Sequence, residues 1–294
     1  MRITNMVPDV QYAMQQSEQS LATAVQEVST SKRVNQLSDD PAAAAGMVRS
    51  LAASATVDRY SANVSSVVAR MQTADSALSS VVASLNQAVT LGTSGTDATL
   101  TPANRQGIAA QVQAALSNVA AQANASFQGT YVFGGSASQA PPFVAGATPD
   151  TYTYAGNSTV NSVQVGDSMN VKTNVPGDQV FTAGANVMGS MKALISALQT
   201  GTPAQVNAAT TAVTAALNYV GQQRVPLGNT IAHLNSQESY LSQESVTLTT
   251  QQTALVGVNI AQAATDLSQA ELTHSAVLAV AAKVLPQTLL DYLH

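Results

Sequence analysis

Apolar and small residues recur at helical spacing at both ends of this chain, in alternating steps of four and three at the N-terminal end. That spacing restricts the possible folds more than any other feature of the sequence. At the N-terminal end the stripe runs Ile3, Val7, Val10, Met14, Ser17, Leu21, Ala24 and Val28, with Ser17 its one polar member. This is the spacing of a helix that lays a narrow seam on another helix, and it predicts a helix over about Asp9–Ser29. At the C-terminal end a second stripe runs Ile260, Ala263, Ala264, Leu267, Ala270, Val277, Leu278, Ala281 and Val284. Pro286 is expected to end that helix, because proline removes a helical N–H and clashes with the preceding turn.

Composition decides what such seams can hold. Charged residues make up 9% and aromatics 4% of the chain, and Trp and Cys are absent. With few large side chains, each stripe must be thin, which suits helix-on-helix contacts lined by Ala, Val and Leu. The absence of Cys excludes disulfides and thiolate metal sites. The net charge of −5 comes without any Lys/Arg run, so nucleic-acid binding has little electrostatic basis. The start, Met1 to Asp9, has no basic stretch followed by an apolar run, so no secretory signal peptide is expected. No segment approaches the ~18–20 apolar residues that span a bilayer, so no membrane insertion is expected.

Between the ends the pattern stays helical apart from short breaks and one longer non-helical stretch. Asp40 is placed to cap a second helix that Pro41 opens. The stripe Val57, Tyr60, Val64, Val67, Met71, Ala74, Leu78, Val81, Leu85 and Ala88 carries that helix to about Val89. Gly92–Thr101 reads as a linker. Pro102 opens a third helix to about Phe127, with Ile108, Val112, Ala115, Val119 and Ala123 inward. From Gly129 to Gly184 glycine, proline and aromatics concentrate, and Thr151–Tyr154 and Ser162–Val165 alternate as strands of a half-buried sheet do. Helical spacing returns with Val187, Met191, Leu194, Ile195 and Leu198. After a break at Gly201-Thr202-Pro203 it resumes with Val206, Val213, Leu217 and Val220. A proline-free span then holds Leu227, Ile231, Leu234, Leu241, Leu248 and Leu255 in heptad-compatible register, weakened at Gly228 and Gly257.

Terminal helix, break, long helix, β insertion, long helix, terminal helix is the order of a hairpin. Folding it back pairs first with last. The expected fold is mainly α: a hairpin of long helices with paired N- and C-terminal coiled-coil helices, plus a small β-rich insertion in the middle. The expected domains are a terminal coiled coil (1–40 plus 256–294), a helical bundle (41–128 plus 186–255) and the insertion (129–185). The stripes Val57–Ala88 and Leu227–Leu255 are expected to form the core of one bundle. The terminal stripes are poorer in large residues, and a two-helix pair built from them buries little apolar area against the entropy of ordering it. They are therefore expected to contact neighbouring subunits through Ile3, Val7, Val10, Met14, Leu21, Val28, Ile260, Leu267, Val277, Leu278, Val284 and Leu290.

The run from Ser31 to Ala44, carried by Arg33, Asn35, Asp39, Asp40 and Pro41, resembles the N-terminal signature of the bacterial flagellin superfamily. In that family a basic residue, a Val/Ile-Asn pair and an Asp-Asp pair precede the second helix. Asp-Asp-Pro, together with Tyr131, Phe133 and Gly135 in Gly129–Gly135 and the later Pro142-Phe143, resembles the hook-associated branch. Gln251–Leu255, Ala276–Ala279 and the tail Leu289-Leu290-Asp291-Tyr292-Leu293 are similar to that branch's C-terminal helix. Asn259 stands where the family usually has an acidic residue, and His294 is an atypical ending. The resemblance implies an extracellular structural subunit of the flagellum, exported unfolded by the type III route without a cleaved signal and assembled as a ring between hook and filament. The partners it implies are copies of the chain itself, a second hook-associated junction protein on the hook side and flagellin on the filament side. It also implies an export chaperone on the C-terminal helix before secretion, around Leu267, Val277, Leu278 and Leu290. No cofactor, metal or catalytic residue is expected.

The same residues admit other readings. His233, His274 and His294 lack ligand-spaced partners, and His274 reads as a neighbour of a seam rather than a metal ligand. Asp39-Asp40 reads as helix capping rather than a catalytic pair, and no Gly-x-Ser-x-Gly elbow occurs. Asn63, Asn124 and Asn157 begin glycosylation sequons that also arise by chance. The competing functions are a flagellin-type filament subunit and an unrelated secreted adhesin or enzyme that uses the insertion as its binding module.

Overall fold

The computed structural model describes the backbone of residues 6–291 and the side chains of residues 8–283. Ile3 lies outside the described residues, as do the side chains of Val7, Val284 and Leu290. The helices are α1 (Met6–Thr30), α2 (Pro41–Gly95), α3 (Pro102–Ala123), α4 (Gly177–Phe181), α5 (Val187–Thr200), α6 (Pro203–Val256) and α7 (Ile260–Asp291). Between α3 and α4 lie β1 (Ser126–Phe127), β2 (Thr130–Tyr131), β3 (Phe143–Ala145), β4 (Tyr152–Tyr154), β5 (Ser162–Gly166) and β6 (Met169–Lys172). The chain is mainly α, as its periodicity requires. It divides into two compact units, one made from the two ends through Thr56 and from Gln243, the other Val57–Ser242.

In the middle unit the heptad positions of α2 all turn inward. Every member from Val57 to Ala88 is buried, as are Val112, Ala115, Val119 and Ala123 of α3, Met191, Leu194 and Ile195 of α5, and Val213, Val220, Leu227 and Leu234 of α6. Small residues let these helices approach closely. A Cβ on Gly95 would fall onto Leu198, and one on Gly92 onto Thr210. This close approach is why α2 runs through Gly92–Gly95, where the composition reads as a linker: packing outweighs the roughly 1 kcal/mol that each glycine costs a helix.

Two prolines are likewise carried inside helices. α6 passes through Pro226 and α7 extends beyond Pro286. Just before Pro226, Arg224 grips both carboxylate oxygens of Asp75 on α2, at 2.9 and 3.0 Å. Leu227 and Leu234 are buried just after it. The tertiary anchors on either side hold the helix where propensity alone predicts a break.

The insertion is not one sheet. β1–β2, β3–β4 and β5–β6 are three separate antiparallel ribbons. They are fastened to the helices by side chains and by an aromatic cluster. Phe133 meets Phe181 edge-on at 5.4 Å, and Phe143 lies 5.2 Å from Phe181 and 5.1 Å from Tyr154. α3 ends at Ala123 rather than near Phe127, because the Asn124 amide turns to β3. Its Oδ1 accepts from the Phe143 N–H at 2.9 Å and its Nδ2 donates to the Phe143 carbonyl at 2.8 Å.

Candidate functional site

Among the described residues no group of three or more His, Asp or Glu side chains is placed to hold a metal. No described helix is long and apolar enough to cross a membrane. The features with functional content are the packed pair α1·α7, the elbow that joins α1 to α2 beside the start of α7, and the insertion motif around Phe133.

The elbow uses the motif residues one by one. Ser31 takes a left-handed conformation (φ 56°) and turns the chain out of α1. Arg33 N–H then donates to the Val256 carbonyl at 2.8 Å, and Lys32 bridges Gly257 antiparallel. Asn35 donates its side-chain amide to the Lys32 carbonyl at 2.8 Å. Asp39 Oδ2 accepts the N–H groups of Asn35 and Gln36 at 3.0 and 2.8 Å. Asp40 caps α2 by accepting from Ala43 N–H at 2.9 Å, and pairs through its other oxygen with Arg33 at 3.0 Å. The Ala43 hydrogen bond first, and the Arg33 guanidinium second, hold the Asp40 carboxyl below its ordinary range. Pro41 opens the helix where its missing N–H costs nothing. Beneath this polar turn, Val34, Ala43 and Val256 pack together with Met47 and Leu255. Asp39-Asp40 is thus a turn-and-cap device.

Opposite this strand-like contact, α7 begins with its own cap. Asn259 Oδ1 accepts from Ala261 and Gln262 N–H at 3.1 and 3.4 Å. A neutral asparagine fills the role open to a carboxylate at a helix start.

The terminal stripes meet each other. On α1, Ser17 and Ala24 are buried and Val10, Met14, Leu21 and Val28 half-buried; on α7, Ala263 and Ala281 are buried and Leu267, Ala270, His274 and Val277 half-buried. These two sets keep strict steps of four and three. Leu278 and Ile260 do not belong to the seam; they are 45% and 49% exposed. His274, which polarity hides from a hydrophobic reading, is the missing seam member. Its Nδ1 lies 3.1 Å from Ser17 Oγ.

With the seam filled, apolar side chains still face outward: Tyr12 and Val25 on α1, and Ile260, Leu272, Leu278 and Val280 on α7. Leu272 is 70% exposed. Along one side of the pair runs a groove of about 900 Å³ that Gln16, Ser20, Glu27, Asp266 and Gln269 help to line. It adjoins a smaller apolar one of about 360 Å³ flanked by Val10, Leu272 and Val280. The charge of this surface is acidic. α1 contains Asp9, Glu18 and Glu27 and no basic residue, and α7 contains Asp266, Glu271 and Asp291 against Lys283.

The insertion motif is structural. The Phe133 ring is fully buried. Its carbonyl accepts from Gly177 N–H at 2.8 Å and from the Tyr154 hydroxyl at 3.0 Å. Burial foremost, and then the Asp178 carboxylate, push the Tyr154 hydroxyl above its ordinary range. The Tyr131 carbonyl accepts from Arg70 at 3.3 Å. Gly135 sits at φ 69°, with Asn157 so close that a Cβ would overlap it.

Comparison with known proteins is consistent with this geometry. The family description "Bacterial flagellin N-terminal helical region" matches residues 4–138. No curated protein matches the chain. Solved structures with the same fold include a protein from Vibrio parahaemolyticus assigned as a flagellar hook-associated protein, 20% identical, with a TM-score of 0.68, covering 74% of this chain and 100% of its own. FlgL of Bacillus cereus is 21% identical, with a TM-score of 0.59, covering 70% and 97%. The flagellar junction protein FlgL of Legionella pneumophila is 14% identical, with a TM-score of 0.61, covering 72% and 100%.

Proposed function

From a chain that carries the flagellin N-terminal helical region in the fold of hook-associated proteins, we propose a structural subunit of the bacterial flagellum that joins hook to filament. One observation carries this reading: α1 and α7 satisfy each other along a thin seam and still present Tyr12, Val25, Leu272, Leu278 and Val280 to solvent. Isolated apolar residues on a surface need no explanation, but several large ones exposed on the two helices of one packed pair support a contact surface. The subunit performs no reaction. It is exported through the flagellar type III route, assembles with copies of itself as a ring outside the cell, and meets a second hook-associated protein on one side and flagellin on the other. Before export an unfolded α7 exposes Leu267, Val277, Leu278 and Leu290, the strip a chaperone would cover.

The match over residues 4–138 fits a filament subunit as well, so the experiment must separate the two. Deleting the gene is expected to leave hooks on the cells while filament protein is shed into the medium, and the chain should be found in hook–basal-body preparations. Loss of the filament protein itself would identify the chain as flagellin, and unchanged filaments would end both readings.

A further inference from the structure

We propose that the Ser17–His274 hydrogen bond is the register lock of the α1·α7 pair. The hydroxyl of Ser17 donates to the Met14 carbonyl at 2.8 Å. Its Oγ is therefore left to accept from His274 Nδ1–H at 3.1 Å. Ser17 is 5% exposed, and taking a partner from a buried hydroxyl oxygen is costly.

The two helices run antiparallel, since Lys32 bridges Gly257 at one end and Ser17 meets His274 farther along both. Equal rise per residue then sets the remaining layers. Val28 is level with Ala263, Ala24 with Leu267, Leu21 with Ala270, Met14 with Val277 and Val10 with Ala281. In four of these layers a large residue faces an alanine. Small residues alone would slide easily, because each alanine offers little to discriminate one large partner from another. A slip of one heptad in one direction sets Ser17 against Leu267 and His274 against Val10. In the other direction it sets Ser17 against Ala281 and His274 against Ala24. Both slips set Ser17 and His274 against apolar side chains and lose the hydrogen bond between them, while the Ser17–Met14 bond inside α1 is kept, so the single polar layer penalises each heptad slip, as a lone buried polar residue does in other coiled coils. A hydrophobic pair of the same size would hold the helices together without choosing between registers.

The inference rests on the pair's geometry and stands apart from the junction reading. The chain contains no Cys, so disulfide mapping in the full-length protein has no background. Leu21→Cys with Ala270→Cys reports the observed register; Leu21→Cys with Ala263→Cys reports the slip of one heptad. With Ser17 and His274 intact, the first pair is expected to oxidise at least tenfold faster than the second. Adding Ser17→Ala with His274→Leu is expected to raise the slipped pair's relative rate at least tenfold, with far-UV helicity retained. Ser17→Ala alone gives the same shift if the apolar double change disturbs packing. An unchanged ratio in both backgrounds would show that the elbow alone sets the register. Equal rates in the unaltered background, or no cross-link in either pair, would overturn the pairing itself.

Discussion

At the scale of single residues, Gly135 and Asp40 carry the sharpest consequences. Gly135 holds a positive φ and lies against Asn157, so Gly135→Ala meets both backbone strain and overlap. The expected cost is about 1–3 kcal/mol, from strained positive φ in a non-glycine residue. A lowered urea midpoint with an unchanged slope would register it. Asp40 acts through charge. Its carboxyl is depressed by the Ala43 N–H and then by Arg33, and a depressed acid contributes stability above its unfolded value and loses it as pH falls through its native value. The elbow is therefore expected to resist proteolysis between Thr30 and Gln36 at neutral pH. It should become labile only below the ordinary aspartate range, and Asp40→Asn should flatten that pH dependence. The three sequon asparagines also resolve at this scale. The Nδ2 atoms of Asn63, Asn124 and Asn157 each donate a hydrogen bond, to Gln164 O, Phe143 O and Ser136 Oγ, at 2.8 Å in every case. In the folded chain each sequon amide is structural.

At the scale of elements, what could be read in advance was whatever repeats. The inward face of α2 from Val57 to Ala88 follows directly from its spacing, because a helix in a helical core imposes one period on every position. The β ribbons are two to five residues long, too short for alternation to show how they pair, so one sheet was expected where three ribbons occur. Local rules failed where a tertiary contact outweighs them, as at Gly92–Gly95 and Pro226. On α7 the period was legible but its membership was not. Leu278 stands one position beyond Val277 and shares its chemistry but not its direction, while His274 has the direction without the chemistry. The glycine result can be tested directly. Gly95→Val would drive two methyl groups into Leu198, which has 1% exposure and no room to retreat. Overpacking of this kind costs about 1–3 kcal/mol. The variant is expected to unfold earlier in a thermal scan, while Gly107→Ala, in open space, should equal or exceed the parent.

Taken as a whole, the molecule divides its labour by composition. The middle unit holds the fully buried large side chains, Phe133, Phe181, Leu78, Leu116 and Leu234 among them. The terminal pair has a seam in which four of twelve members are alanine, large apolar side chains exposed on its outside and an excess of acid. Bringing copies together through such a surface releases apolar area from water but also opposes Asp9, Glu18, Glu27, Asp266 and Glu271 to their equivalents. Repulsion between exposed charges is screened over roughly 10 Å at 0.1 M salt, and over about 3 Å at 1 M, whereas apolar attraction is not. Self-association of the purified chain is therefore expected to rise with ionic strength, read as an increase in light-scattering mass between low and high salt. Leu272→Asp should abolish that rise, because it removes an outward apolar contact and adds to the acidic excess. The same variant should leave the cooperative unfolding of the middle unit unchanged, since Leu272 belongs to the terminal unit. Association that weakens as salt is added would mean that attraction between opposite charges, and not the apolar face, brings the copies together.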